Sequence, residues 1–484
     1  MNRRPETDVA AEQSLTRRRV PAPATPAVDP RERLRLLCDP GSIRYLRTGV
    51  RSERINGDGR RGDGVVAAVA KVGARPIVCY AQDVTFAGGS VGSCHADSVV
   101  ELHRLAQRTR VPLVAFLESG GARLQEGVHA LAGYGRIFRE TVAAARVVPQ
   151  ISVICGACAG GGSYAPALTD FVVMQASSRM FLTGPRVVRL AVGERADAEE
   201  LGGPRIHSRN GVCDLVVRSP LEAAAAVHRL LSYLPSSIGD EPPRARTLGP
   251  SSDDPAAVMP REARRIYDVR ELLRGVIDTG SLLELAPRWA PNLVTGFGRI
   301  AGRAIGIVAS QPRYLGGLLD SRSSLKGARF VGLCDRFRVP LLVVVDTPGF
   351  MPGRKAEKRG VIRHGADLVR AFAGATVPRV TLVTRKAYGG AYIAMNCKDL
   401  GSDLVFAWPG AEIGIMAAAQ AAAVVGHDGF GGALDSDDAT EAYHLRHLSA
   451  ARAAEGGFVD EVIAPADTRA QLEWAFELLA RAPR

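Results

Sequence analysis

Hydrophobic and polar positions along the chain fall into alternating blocks. Short apolar runs of strand length, such as "VPLVAFL" from Val111 and "ISVIC" from Ile151, lead into small residues and then into longer stretches with helical spacing. Apolar runs of about four to eight residues bounded by turn signals read as buried strands. Strands and helices alternating through short loops predict an α/β architecture with mainly parallel strands.

The blocks occur twice. "VPLVAFLESGGARLQEG" begins at Val111, and "VPLLVVVDTPGFMPG" begins at Val339, 228 residues later. "VVPQISVICGACAGGGSYAPALTDFVVM" begins at Val147, and "TVPRVTLVTRKAYGGAYIAMNCKDLGSDLVFA" begins at Thr376. Between these two, Gly389-Gly390 follows Gly160-Gly161 by 229 residues. "RERLRLLCDPGSIRYL" from Arg31 and "VRELLRGVIDTGSLLEL" from Val269 open the copies, each an amphipathic helix followed by a Gly-Ser turn. A near-constant offset across several motifs marks an internal duplication. It divides the chain into domains 30–240 and 263–484, with a Pro- and Ser-rich linker over 241–262. Residues 1–29 are polar, charged and Pro-rich, without a signal peptide's apolar segment, and are expected to be a disordered tail.

Composition narrows the class. With 46% hydrophobic and 23% charged residues the chain reads as globular. No apolar run reaches the roughly 18 residues of a membrane span, so a cytoplasmic protein is expected. The net charge of +12 suits an anionic partner such as a phosphorylated ligand. No zinc-finger spacing or aromatic–basic motif accompanies it, so nucleic acid is not expected. The 8 cysteines are scattered and mostly lie in apolar runs, the pattern of buried thiols in a reducing compartment. Cys155 and Cys158 form a C-x-x-C, but no second ligand pair exists, and no metal is expected.

The chemistry points to the glycine turns. In each half a strand runs into small residues and then into a helix. Glycine lets the backbone approach a ligand closely, and the helix start offers N–H groups at a positive dipole end. Two such groups can hold the oxygen of an enolate, and losing one donor of this kind costs about 2.7–4 kcal/mol. "GACAGGG" fits neither the phosphate loop G-x-x-x-x-G-K-[ST] nor G-x-G-x-x-G. "GGSVG", Gly88 to Gly92, fits a serine-hydrolase elbow at Ser90. Its candidate histidines, His427, His444 and His447, lie in a polar, glycine-rich region without strand context, which ranks that reading below the glycine turns.

The motifs "YAQDVTFAGGSVG", "ESGGARLQEGV", "AGGGSYAPALTDFVVM", "FLTGPRVV", "ELGGPRIHSRNGVCD", "LLSYLPSS", "DTPGFMPG", "GVIRHGADLV" and "TRKAYGGAYIAM" stand in order from about Arg31 to about Arg469. In this the chain resembles the carboxyltransferase (β) subunits of biotin-dependent acyl-CoA carboxylases, of the propionyl-CoA and acetyl-CoA carboxylase type. The resemblance implies two tandem crotonase-like domains of the ClpP/crotonase superfamily. It implies an acyl-CoA site in the first domain and a carboxybiotin site in the second. The active site then forms between two subunits of a hexamer, a trimer of dimers. The chain has no Ala-Met-Lys-Met biotinylation motif and no ATP-grasp-like region. Biotin would therefore arrive on a partner biotin carboxylase/biotin carboxyl carrier subunit. The implied reaction moves CO₂ from carboxybiotin to the α carbon of acetyl-CoA or propionyl-CoA, giving malonyl-CoA or methylmalonyl-CoA, with no side-chain base and no metal.

Carried over position by position, the oxyanion pairs are Gly160 with Gly161 and Ala417 with Ala418. The acyl-CoA residues are Gly120, Gly121, Ala122, Arg123, Ala159 and Tyr164, and the biotin residues are Gly349, Phe350, Tyr388, Gly389, Gly390, Ala419 and Gln420. The chain departs from the family pattern near the second pair. Relatives read Met-Gly-Ala-x-Gly-Ala-Val where this chain reads "MAAAQAAAVV" from Met416, so Ala417 and Gln420 replace glycines. Ala417 would be strained if its position needs positive φ. Ser98 stands where relatives have a lysine, and the usual Asn-Pro-Tyr is absent. "GHDGFGGALDSDD", residues 426–438, reads as a loop in place of a long helix pair. Two alternatives stay open: a decarboxylase of a malonyl-type thioester using the same oxyanion sites, and a weakened paralogue that scaffolds a carboxylase complex.

Overall fold

The computed structural model describes residues 28–52, 60–251, 254–260, 262, 265–421 and 436–481. The expected tail lies outside these residues up to 27, and the loop reading over 426–438 lies outside them up to 435. That loop reading is corrected at its end, because residues from Ser436 onward belong to the helix Ser436–His447.

The first half runs α1 (Pro30–Leu37), β1 (Arg44–Leu46), β2 (Val65–Val72), β3 (Arg75–Gln82), α2 (Ser93–Thr109), β4 (Leu113–Ser119), α3 (Val128–Ala144) and β5 (Gln150–Ala159). It continues with α4 (Gly161–Ala167), β6 (Phe171–Gln175), β7 (Arg179–Phe181), α5 (Pro185–Val192), α6 (Ala198–Gly202), α7 (Pro204–Asn210), β8 (Leu215–Val217) and α8 (Pro220–Tyr233). The second half runs α9 (Val269–Arg274), β9 (Leu283–Leu285), β10 (Leu293–Ile300), β11 (Arg303–Ser310), α10 (Ser321–Arg336), β12 (Leu341–Thr347), α11 (Arg354–Lys358), α12 (Val361–Gly374), β13 (Arg379–Tyr388), α13 (Gly389–Ala394), β14 (Leu404–Ala407), β15 (Glu412–Gly414) and, after further helices, β16 (Glu461–Val462).

Each half builds an 8-stranded sheet with the same order: β1-β2-β3-β4-β5-β6-β8 with β7 beside β5, and β9-β10-β11-β12-β13-β14-β16 with β15 beside β13. The first two pairings of each sheet are antiparallel and the rest are parallel. The recurring Val-Pro dipeptides explain the strand starts. Proline has no N–H to donate, so it suits the first position of a strand. In both halves its carbonyl accepts from the neighbouring strand: Pro112 from Val78 N, Pro149 from Leu113 N, Pro340 from Gly306 N and Pro378 from Leu341 N. The register of β4 on β5 shifts between Leu117 and Ser119, and that of β12 on β13 shifts between Val345 and Thr347. These matched irregularities end the paired strands at the two turns that carry the chemistry.

The halves share one core. Phe297 is fully buried at their boundary, 5.5 Å from the Tyr233 ring, 6.2 Å from Phe171 and 5.4 Å from Phe330. Ion pairs reinforce it. Arg329 of α10 lies 3.3 Å from Asp214, and Arg336 bonds Asp170. Burial pushes the Asp170 carboxyl up to about 6, against the pull of Arg336.

Candidate active site

In the first half, β5 ends at Ala159 and Gly160 turns the chain with φ 58° and ψ −127°. A β-carbon excludes that conformation. α4 then starts at Gly161 with no side-chain cap, so its first-turn N–H groups have no partner inside the helix. The N–H of Gly160 itself donates to the Phe181 carbonyl at 3.1 Å. This corrects the expected amide pair by one residue: Gly160 bends the chain, and the helix-start amides are those of Gly161 and Gly162. A β-carbon on Gly161 would stand 2.8 Å from the Tyr134 ring, so the aromatic wall rests directly on the turn.

The loop after β4 lies against this turn. Gly121 has φ 98°, and a β-carbon there would stand 3.1 Å from the Ala159 carbonyl oxygen. Gly120 N donates to Gly88 O at 2.9 Å, and Gly121 N donates to Ser119 Oγ at 3.2 Å. Ala122 pairs with Val91 in a short parallel bridge. The structure therefore brings Gly120, Gly121, Ala122, Ala159, Gly160 and Gly161 together. Tyr164 sits one turn along α4, exposed, with its ring edge-on to Phe138 at 6.0 Å.

Arg123 is the exception among the acyl-CoA candidates. It is 1% exposed; its guanidinium lies 2.8 Å from Asp63 and 2.8 Å from Glu126, and donates to the Ser90 carbonyl at 3.0 Å. A guanidinium enclosed in this way braces the loop from inside and is not available to a CoA phosphate. Burial pushes the Asp63 carboxyl up, and Arg123 opposes that. Burial also raises Glu126, but the Ser93 N–H and Arg123 outweigh it and hold the carboxyl below its usual value. Nearby, His95 is buried between Gln82 and the Asp63 carbonyl, and burial lowers its pKa to about 3, which keeps the ring neutral. Sequence reasoning missed Asp63, Glu126 and His95, because residues up to 60 positions apart meet through the sheet without any spacing signature.

The second half repeats the turn with different walls. Gly389 has φ 56° and opens α13, again without a side-chain cap. A β-carbon on Gly389 would stand 3.0 Å from the Ile415 carbonyl, and one on Gly390 would stand 3.8 Å from the Phe350 ring. Gly349, with φ 141°, accepts Leu319 N at 3.0 Å and so fixes the Phe350 loop. Phe350, Gly389, Gly390 and the segment running to Gln420 are thus neighbours. Tyr388 is buried, and its hydroxyl donates to Glu412, so it can line this site only as a wall. Burial, then Glu412, raises the pKa of its hydroxyl well above the usual value.

Ala417 is half-buried, and its carbonyl accepts Gln420 N at 3.1 Å and Ala421 N at 3.0 Å. It is absent from the non-glycine residues with positive φ, so the alanine is not strained. Its N–H has no backbone partner among the described residues. Ala418 opens the helical turn behind it, and Ala419 and Gln420 are exposed. A cavity of about 980 Å³ adjoins the turn, lined by Gly389, Gly390, Ile393, Ile413, Ile415 and Phe458, with Arg446 and His447 on the same lining.

The remaining candidates resolve simply. Ser98 Oγ accepts Arg47 Nε at 2.9 Å, while Lys326, 228 residues later, is buried and donates to the Leu293 carbonyl at 2.8 Å. Cys155 and Cys158 are buried, and burial pushes the Cys155 thiol up to about 12. Among the described residues no cluster of three or more His, Cys, Asp or Glu side chains could hold a metal. Ser90 follows a short 3₁₀ turn and not a strand, His444 and His447 lie in the second half, and His427 is outside the described residues.

Comparison with known proteins gives a consistent picture. The carboxyl transferase domain model matches residues 29–484. A putative propionyl-CoA carboxylase beta chain of Bacillus subtilis (strain 168) is 43% identical over 462 residues, covering 93% of this chain and 90% of that protein. The methylmalonyl-CoA decarboxylase subunit alpha of Veillonella parvula is 41% identical over 472 residues, covering 94% and 91%. A transcarboxylase 12S crystal structure, described as a hexamer assembly with hydrolyzed methylmalonyl-coenzyme A bound, superposes with a TM-score of 0.90 at 41% identity, covering 94% of this chain and 90% of that one.

Proposed function

The chain belongs to the carboxyl transferase domain family and has its duplicated crotonase-like fold, and from that premise we propose that it is the carboxyltransferase subunit of a cytoplasmic acyl-CoA carboxylase. It takes CO₂ from carboxybiotin carried by a partner biotin carboxylase/biotin carboxyl carrier subunit. It transfers that CO₂ to the α carbon of acetyl-CoA or propionyl-CoA. The observation that carries this reading is the pair of strand-to-helix glycine turns, at Gly160 and Gly389, each opening an uncapped helix start.

In this reading the first domain, 30–240, binds the acyl-CoA, and the second, 263–484, binds biotin. The Gly161 and Gly162 amides hold the thioester oxygen as it gains negative charge, which stabilises the enolate. Gly121 keeps the loop after β4 close to Ala159, and Tyr134 fixes the position of Gly161. Carboxybiotin supplies CO₂, and its ureido nitrogen accepts the α-proton. The second turn suits that bicycle: Gly389 and Gly390 allow close approach, Phe350 and Ile415 are apolar walls, and Ala417 offers a free amide to the ureido oxygen. Apolar side chains are exposed beside both turns, Leu124, Val128 and Leu131 in the first half and Ile362, Ile393 and Ile415 in the second. Pairing the first turn of one copy with the second turn of another covers both faces and unites the reactants, within a hexamer. Among the described residues no helix is long and apolar enough to cross a membrane.

The test mixes the purified chain with malonyl-CoA or methylmalonyl-CoA, with and without free biotin, and follows loss of the carboxylate by mass spectrometry. Biotin-dependent loss is expected. No loss, from a protein that still binds CoA thioesters, sinks the reading. The relative in Veillonella parvula favours one second reading, decarboxylation as the working direction. Both directions use the same enolate. Failure to carboxylate with a competent charged biotin partner, alongside retained biotin-dependent decarboxylation, selects that second reading.

A further inference from the structure

The contact between the two halves is heterologous. The first half presents β6, β8 and α8, and the second half presents β9, β10 and α10. By the duplication, each half also carries the counterpart of the face that its neighbour uses. Hydrogen bonds fix the correspondence. Asp170 accepts Gln150 N at 2.8 Å, as Asp403 accepts Arg379 N at 2.7 Å. Asp214 accepts Val172 N at 2.9 Å, as Asp460 accepts Val405 N at 2.7 Å.

The partners of these aspartates differ. Asp170 and Asp214 are buried beneath Arg336 and Arg329 of α10, whereas Asp403 and Asp460 are exposed. The counterpart of α10 is α2, and Arg108 stands 228 residues before Arg336. Arg108 is exposed and makes no ion pair among the described residues. Strand β9 is covered inside the contact, with Leu283 and Leu285 buried, while its counterpart β1 leaves Arg44 and Tyr45 exposed. Thus one half keeps an uncovered α2/β1 face with a free arginine, and the other keeps an uncovered β14/β16 edge with exposed carboxylates.

We propose that a second copy of this chain joins these faces, repeating between copies the contact that holds the two halves together, with Arg108 of one copy on Asp403 of the next. A heterologous contact propagates into a ring if its rotation closes. Three copies joined in this way make one ring of six domains, and two such rings make a hexamer. The proposal rests on the duplication and not on the reaction, and it is distinct from the pairing of turns between copies.

Sedimentation velocity on the full chain at micromolar concentration tests it. The wild type is expected to run as six copies. Arg108→Asp and Asp403→Arg, each alone, should reduce it threefold, to two copies, and the two changes together should restore six. Circular dichroism checks that each variant is folded. A wild type no larger than a dimer, or single variants that sediment like it, overturns the proposal. Should the charge variants misfold, a chain with Arg108→Cys and Asp403→Cys is oxidised with copper phenanthroline. A covalent ladder ending at three chains is expected, and no cross-link, or a ladder running beyond three, overturns the ring.

Discussion

The two halves build the same turn and support it by different means. The isolated bridges make the equivalence explicit: Val91 pairs with Ala122 and Leu319 pairs with Phe350, so Arg123 corresponds to Met351. The first loop is braced from inside by buried ions, Arg123 with Asp63 and Glu126, and its turn is covered by Tyr134. The second loop is wedged by the Phe350 ring against Gly365 and Gly390, and the nearest wall atom stands 3.8 Å from a β-carbon on Gly390. Steric demand therefore differs between turns of one topology. The first cannot accept a β-carbon at its helix start, whereas the second site already holds an unstrained alanine at position 417.

The largest effect expected comes from giving the first loop the residue of the second. Arg123→Met removes the cation and leaves Asp63 and Glu126 buried without a partner. Breaking a buried pair in this way costs about 3–5 kcal/mol. Urea unfolding measures it, and a loss below about 1 kcal/mol would mean that the ions do not brace the loop. Next comes Gly161→Val. Its β-carbon collides with Tyr134 and displaces the amide, which should lower kcat for biotin-dependent decarboxylation by about 10²–10³. Unchanged kcat would remove the Gly161 amide from the reaction.

Much of this was legible in the sequence because duplication writes each signal twice. Val-Pro strand starts, the small-residue turns and their offset together predict the paired sheets. Gly160 was legible as a turn residue but not as a residue whose own N–H is engaged, since Phe181 reaches it only through the β5–β7 pairing. Arg123 looked like an anion ligand in a glycine loop. Its burial depends on Asp63, which no local pattern connects to it. Ala417 looked strained because glycine is usual there, and only the backbone angle shows that the position does not require one.

Lys326 and Ser98 extend the comparison to a smaller effect. Burial lowers the Lys326 pKa from 10.5 to about 8. The folded state then binds fewer protons than the unfolded state between these values, so stability rises with pH across that window, by up to about 1.4 kcal/mol per unit. Lys326→Met should flatten the rise, as seen by urea unfolding at several pH values, while Ser98→Ala should leave it in place. A rise that survives Lys326→Met assigns it to another group.

The smallest effect is the most discriminating. Ala417→Gly restores the residue usual in relatives and adds no hydrogen bond. If the amide at 417 already has its working direction, the gain in kcat is limited to what relaxing the backbone can give, and that is slight because φ is not positive. The change should stay within about twofold, since glycine's extra freedom is an entropic cost of about 0.5–1 kcal/mol, which opposes any gain. A tenfold rise in biotin-dependent turnover would mean that the β-carbon at 417 obstructs biotin. The two halves would then differ not in how much β-carbon their turns tolerate but in how far the second has lost its site.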